Sequence, residues 1–304
     1  MASEVTTETV VNPGQPQAAG RAQLFRRMTA TRPATALRQT RAAWPAVAFL
    51  FVFFVLPVGV LMLRSVSDPT WGLQNFSELL AGGTYARVLF NTFLVAGVVT
   101  LVSLLIGYPL AWLIVILPAG WQRALLAILF MSMWTSLLAR TYAWLVLLQR
   151  TGLINRVLLE LGIINAPLEL VNNLVGVTIG MTYIMLPFVV LPLQATLSAI
   201  DPALMHAGAI CGAGPFRLFR SVLLPLSLPG IGAAGLMVFV MSLGYYVTPA
   251  LLGGTQNMML AELIAQTVQS LLNWGLGAAA AAILLAATLL LYAVHTRYLE
   301  RESR

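Results

Sequence analysis

Apolar residues in this chain come in long unbroken blocks, without the period-two alternation of a surface strand or the narrow stripe of a soluble amphipathic helix. Six blocks stand out, at about 44–63, 92–117, 123–148, 171–197, 231–252 and 276–298. Each is long enough for the roughly 20 residues that carry a helix across hydrocarbon. The pattern predicts an all-α integral membrane protein with six transmembrane helices in one domain over 44–298. Pro57, Pro109, Pro187, Pro192 and Pro249 fall inside blocks and predict kinks, tolerated where protein or a wet cavity covers the freed carbonyls.

The segments between blocks differ in kind. Residues 1–43 are rich in Thr, Ala, Gln, Pro and Arg and lack periodicity, so they read as a disordered tail. Residues 64–91 are polar and aromatic and predict a folded loop. Residues 149–169 predict one short amphipathic helix between turns. Residues 253–275, around Glu262, predict a re-entrant or surface helix, and 299–304 a short tail.

The loop over about 198–230 is unlike the rest. Asp201 and Pro202 make a helix start, Asp as N-cap and Pro at the first helical position. Gly212 and Gly214 end that helix and Pro215 begins another. In the second piece Phe216, Phe219 and Leu223 recur at helical spacing beside Arg217 and Arg220, predicting an exposed amphipathic helix that precedes the fifth span.

Composition narrows the function. Of 304 residues 59% are hydrophobic and 9% charged, and the mean hydropathy is +0.87. All 17 basic residues are Arg. A phosphate-binding P-loop needs Lys, so ATP hydrolysis of that type requires another polypeptide. With cytoplasmic termini, 12 arginines fall on the inner side and only Arg64, Arg87, Arg150 and Arg156 in outer loops, which agrees with the positive-inside bias and accounts for the net charge of +7 without nucleic acid. Cys211 is the one cysteine, and His206 and His295 fit no metal-binding pattern. No catalytic residue and no metal site is expected.

The loop resembles a motif of permease subunits in binding-protein-dependent ABC importers: Glu-Ala-Ala, three residues, Gly, nine residues, Ile, one residue, Leu-Pro. Here His206, Ala207 and Gly208 are followed by Gly212, Val222, Leu224 and Pro225. Glycine and Leu-Pro are in register, Val replaces Ile, and His stands where Glu is usual. Trp134-Thr135-Ser136, Arg140-Thr141-Tyr142-Ala143-Trp144, Gly152-Leu153-Ile154-Asn155 and Val247 to Gly254 resemble elements of the spermidine/putrescine-type branch, over about 44–298. The resemblance implies the six-helix type I importer (MetI-like) fold in the bacterial inner membrane. Two copies of an ABC ATPase, a second permease and a periplasmic solute-binding protein are its implied partners beside the bilayer, with ATP hydrolysed by the ATPase. It further implies that a short helix of this loop, with Ala203, His206, Ala207, Gly208, Gly212, Leu224 and Pro225, couples to the ATPase. A small polar solute is expected as substrate: a polyamine, an opine or an amino-acid-like compound. Where the branch commonly has Gly-Asp-Phe this chain has Gly244-Tyr245-Tyr246, and Glu262 stands where Asn is more frequent.

Arg140 is the one charge deep in a block, about 25 Å from the inner end of a straight third span. It either lines the path or snorkels to the outer boundary. Tyr183, Tyr245, Tyr246 and Thr248 either contact solute or belong to an interfacial belt. A stand-alone secondary transporter or channel is the alternative, though the inverted repeats and midplane ionisable residues it would show are not evident.

Overall fold

The computed structural model describes residues 44–302, with side chains through Arg297. The tail expected over 1–43 lies outside the described residues. Two compact units divide at Val60. The described part of the first is apolar helix, the opening of α1 (Trp44–Ser67), with Phe49, Phe51, Phe53 and Phe54 exposed.

The second unit, from Leu61 onward, continues α1 and adds α2 (Gln74–Ala81), α3 (Gly83–Ile116), α4 (Ala119–Trp134), α5 (Leu137–Leu148), α6 (Leu153–Glu160) and α7 (Leu174–Ser198). Then come α8 (Pro202–Ile210), α9 (Pro215–Leu243), α10 (Val247–Leu252), α11 (Leu260–Gln269) and α12 (Trp274–Glu302). No strand occurs among the described residues. Five helices, α1, α3, α7, α9 and α12, are long and apolar enough to cross a membrane, and the bent run α4 to α6 makes a sixth crossing when counted as one.

The centre is α3, α7 and α9, packed on one another. Val95, Val99 and Ile114 of α3, Met181, Met185, Val189 and Leu193 of α7, and Ala234 and Val238 of α9 are fully buried there. Apolar helices in lipid gain little from hydrophobic burial against each other, so close van der Waals approach decides which faces meet. Glycines permit it: a Cβ on Gly107 would lie 2.6 Å from Val189, and one on Gly230 2.5 Å from Thr196. A second cluster joins Leu79, Val88, Leu260, Leu276, Ala279 and Ala280 of α2, α3, α11 and α12.

Four expectations are corrected. The third span is not one helix over 123–148: it breaks after Trp134, with Thr135 and Ser136 extended, and the chain bends by 100°. The straight climb that placed Arg140 about 25 Å from the inner end therefore stops short of it. The helix of the second span begins at Gly83, ahead of the apolar block that opens near Thr92. Its 34 residues make about 51 Å, against a core of about 30 Å.

The separate amphipathic helix expected after Pro215 is the first part of α9, so the fifth span covers Pro215–Leu243 instead of 231–252, and Val247–Leu252 stands apart as α10. Of the 198–230 loop, only the stretch between Ser198 and Pro215 lies outside spanning helices. The reason is local. Phe219–Leu223 form a π turn in which the Leu224 N–H donates to the Phe219 carbonyl. That wider turn makes room for the Pro225 ring, which would otherwise press on the carbonyl four residues back. The same device recurs in α1, where Phe51–Val55 form a π turn just ahead of Pro57. Finally, part of the expected tail over 299–304 continues α12 through Glu302.

Candidate functional site

Two groups of predicted residues stand in different parts of the bundle. The first is the elbow between α7 and α9. The Ala203 N–H donates to Asp201 Oδ1 at 2.8 Å and Pro202 opens α8, so the helix starts where the sequence places it. It ends in a turn in which Gly212 has φ +79°, a left-handed conformation that favours glycine. Gly214 caps the next helix and Pro215 opens it.

Gly208 faces inward: a Cβ there would come within 2.4 Å of Leu218 Cδ2, so α8 lies directly on the first turn of α9. Ala203, His206 and Ala207 are exposed on α8. Ile210 and Phe216, 88% and 74% exposed, add large apolar side chains, flanked by exposed Arg217 and Arg220. An apolar surface with a basic rim at the turn between two spans suits a protein partner. Leu224 and Pro225 belong to α9, not to the exposed elbow.

The second group surrounds α5 and α10. Thr141 Oγ1 donates to the Leu137 carbonyl at 3.0 Å, which leaves Thr248 Oγ1 to donate to Thr141 Oγ1 across 3.2 Å. The pair is fully buried and ties α5 to α10. Trp144 of α5 meets Tyr183 of α7 edge-on, with centroids 5.7 Å apart, and the charge of Arg140 acts on the Tyr245 phenol. Arg140, Tyr183, Tyr245 and Thr248 are thus drawn into one neighbourhood of α5, α7 and α10. Tyr246, in the same turn as Tyr245, is 42% exposed.

Glu262 stands on α11, at the third position after the N-cap Met259. A side chain at that position reaches back to the N-cap backbone, half of a capping box. Burial pushes its carboxyl above the usual carboxylate range, opposed by a backbone hydrogen bond at Met259. The Leu260 N–H donates instead to Thr92 Oγ1 at 2.8 Å, which binds α11 to α3.

Five buried polar atoms lack a partner among the described residues: Ser103 Oγ, Thr182 Oγ1, Ser242 Oγ, Arg140 Nε and Glu262 Oε2. Buried polar groups are costly unless paired, so each is a candidate for contact with solute or water. Sequence reasoning missed Thr182 and Ser242, whose signal was a lone hydroxyl beside Tyr183 and just ahead of Gly244-Tyr245-Tyr246. It also missed Asn155 as a structural residue. Its amide donates to the Gln149 and Leu168 carbonyls at 3.2 and 3.0 Å and accepts from the Leu168 N–H at 2.8 Å, stapling the 149–169 segment.

A spermidine/putrescine transport system permease protein, PotB of Haemophilus influenzae (strain ATCC 51907 / DSM 11121 / KW20 / Rd), is 32% identical to this chain over 243 residues, 77% of this chain and 85% of its own length. The chain belongs to the spermidine/putrescine-type permeases of ABC importers. The permease is also similar in structure to a chain of the bacterial alginate ABC transporter in complex with an alginate pentasaccharide-bound periplasmic protein. There the TM-score is 0.73 at 16% identity, covering 89% of the permease and 96% of that chain. A chain of the MetNI methionine ABC transporter gives 0.55 at 19% identity, with 72% and 96% covered.

No family model matches the chain. The all-α importer fold expected from the motifs is borne out, and the alternative of a stand-alone transporter or channel is set aside. The permease is a multi-pass inner-membrane protein, of a family whose members work with an ATPase, a second permease and a binding protein.

Proposed function

We propose that this permease couples the ATP hydrolysis of two copies of a separate ATPase subunit to import of a small amine-bearing solute, with α8 as the docked element. Its second permease is a homologue, its termini lie in the cytoplasm, and its binding protein delivers solute from the periplasm. The observation that supports this best is the elbow itself. A capped, glycine-ended helix with exposed Ile210 and Phe216 rests through Gly208 on the base of the long helix α9, so a push on α8 is a push on a membrane span.

For the solute, a polyamine is favoured by the names of the relatives. The aromatic groups of Tyr183, Tyr245 and Tyr246 offer faces to an ammonium, Thr248 adds a hydroxyl neighbour, and Glu262 contributes one unpartnered oxygen. A second reading is favoured by Arg140, whose Nε is buried and unpartnered in the same neighbourhood. A guanidinium there suits a solute carrying a carboxylate as well as an amine, an opine or amino-acid derivative.

Uptake of labelled putrescine and of a labelled opine into proteoliposomes holding the whole transporter tests both. The expected result is ATP-dependent putrescine uptake, abolished when Ile210 and Phe216 are replaced by Asp. Opine uptake without putrescine uptake, lost in Arg140→Gln, supports the second reading. Uptake of either solute that survives loss of the ATPase overturns the function.

A further inference from the structure

Force arriving at α8 has to pass along α9, and α9 carries a structural peculiarity at its base. Between Phe219 and Leu223 the helix is widened into a π turn, and Pro225 and Pro229 each remove a backbone donor just beyond it. A helix weakened in this way bends there first. One residue of another span holds both sides of the weak segment. Tyr108 of α3 sets its ring edge-on to that of Phe219, with centroids 5.9 Å apart and planes at 83°. Its hydroxyl lies 3.0 Å from Ser227 Oγ, eight residues further along α9.

The direction of that bond follows from its neighbour. Ser227 donates its own proton to the Leu224 carbonyl at 3.0 Å, so Tyr108 is the donor and Ser227 the acceptor. Ser227 is fully buried, and the phenol is the one donor that meets its oxygen among the described residues. Gly107, the preceding residue, is pressed against Val189 of α7. Residues 107 and 108 therefore fasten α3 to α7 and to both flanks of the bulged turn of α9 at once.

We propose that Tyr108 is a positioning residue for coupling, a latch that forces displacement of the α8 elbow to move α3 and α7 with α9 in place of dissipating in the π turn. The inference rests on the docking of α8 proposed above. Without the latch, the ATPase closes and hydrolyses ATP while the spans lag behind. Hydrolysis then loses its dependence on the loaded binding protein.

The test uses the whole transporter in nanodiscs, assayed for ATP hydrolysis with and without its binding protein. Tyr108→Phe keeps the ring contact with Phe219 and removes the hydroxyl, Ser227→Ala removes the acceptor, and Ser227→Thr keeps it. Tyr108→Phe and Ser227→Ala are each expected to raise basal hydrolysis and to lower the stimulation ratio by about fivefold, the factor one buried neutral hydrogen bond commands. The double variant is expected to be no worse than either single one, and Ser227→Thr to behave as wild type.

An unchanged ratio in Tyr108→Phe overturns the latch. So does a parallel fall of basal and stimulated rates, which is what a merely structural residue gives. Ala207→Trp, on the exposed face of α8, separates the two ideas, since it is expected to release the ATPase. If the ATPase stays bound and fully stimulated in that variant, the docking of α8 fails and the latch falls with it. If the ATPase is released while Tyr108→Phe keeps the wild-type ratio, the latch alone fails.

Discussion

Gly212 gives the sharpest test of the elbow, because bulk and backbone make opposite predictions there. Its φ is +79°, and nothing lies within 4 Å of the position a Cβ would take. The cost of substitution is therefore one of conformation and not of space. Holding an L-residue in the left-handed region costs about 1–2 kcal/mol, which shifts the population of the intact elbow by a factor of roughly 5–30. Ala, Leu and Trp should all pay it alike, whereas Asn, whose short side chain tolerates this region, should pay least.

The expected order of ATP-dependent uptake in proteoliposomes is Gly, then Asn, then Ala, Leu and Trp together, at equal membrane insertion and with ATPase retention falling in the same order. Gly208 supplies the contrast. There a Cβ would meet Leu218 Cδ2 at 2.4 Å, so the loss should grow with side-chain size and be relieved for Gly208→Ala by a companion Leu218→Ala. A graded dependence on size at Gly212, or Asn doing no better than Ala there, would refute the reasoning.

Asp201→Ala removes the cap of α8 and should cost about 1 kcal/mol of helix stability, seen as weaker retention of the ATPase and restored by Asp201→Ser. Asn155→Ala removes three hydrogen bonds across the 149–169 segment and should lower stability by about 2–3 kcal/mol, read from thermal unfolding in detergent. Asn155→Asp, whose second oxygen would face the Gln149 and Leu168 carbonyls in a fully buried site, should cost at least as much as Ala. The raised pKa of Glu262 means that folding favours its protonated form. The stability it lends is thus present at low pH and is lost as pH rises from the ordinary value of 4.5 through the raised one. Glu262→Gln should flatten the dependence of the thermal midpoint on pH over that window.

How far the chain could be read depended on whether local or distant forces set each feature. The start of α8 at Asp201 and Pro202 and its end at Gly212 were legible because capping and the left-handed turn are local chemistry carried by particular residue types. The apolar blocks were legible because hydrocarbon demands length. The 100° bend after Trp134 was not: neither Pro nor Gly marks it, and Thr135 and Ser136 are ordinary polar residues in an apolar run. Hydropathy counts residues and is blind to continuity.

The join of the 215–225 segment to the fifth span was hidden in the opposite way, since the ring of Pro225 is absorbed by a π turn that no pattern announced. In the candidate path, Thr248 was visible as a polar group in an apolar block. Its partner Thr141 was not assigned, because their bond joins helices 107 residues apart.

The continuity of α9 changes what kind of machine the elbow belongs to. A separate amphipathic helix joined to the span by a flexible break would let a docked partner move without consequence. Instead 29 residues run unbroken from Pro215 to Leu243, a rod of about 44 Å, and α8 is seated on its first turn at Gly208 and Leu218. The far end of that rod stops at Gly244 and Tyr245, beside Arg140 and the buried hydroxyl of Ser242. The base of α9 thus meets the exposed elbow and its tip carries the unpartnered hydroxyl of Ser242. A tilt imposed at one end must reorient the other by the geometry of a single helix. The tilt would be lost first at the widened turn of Phe219–Leu223 and the prolines just beyond it, which is the segment Tyr108 of α3 holds on both sides.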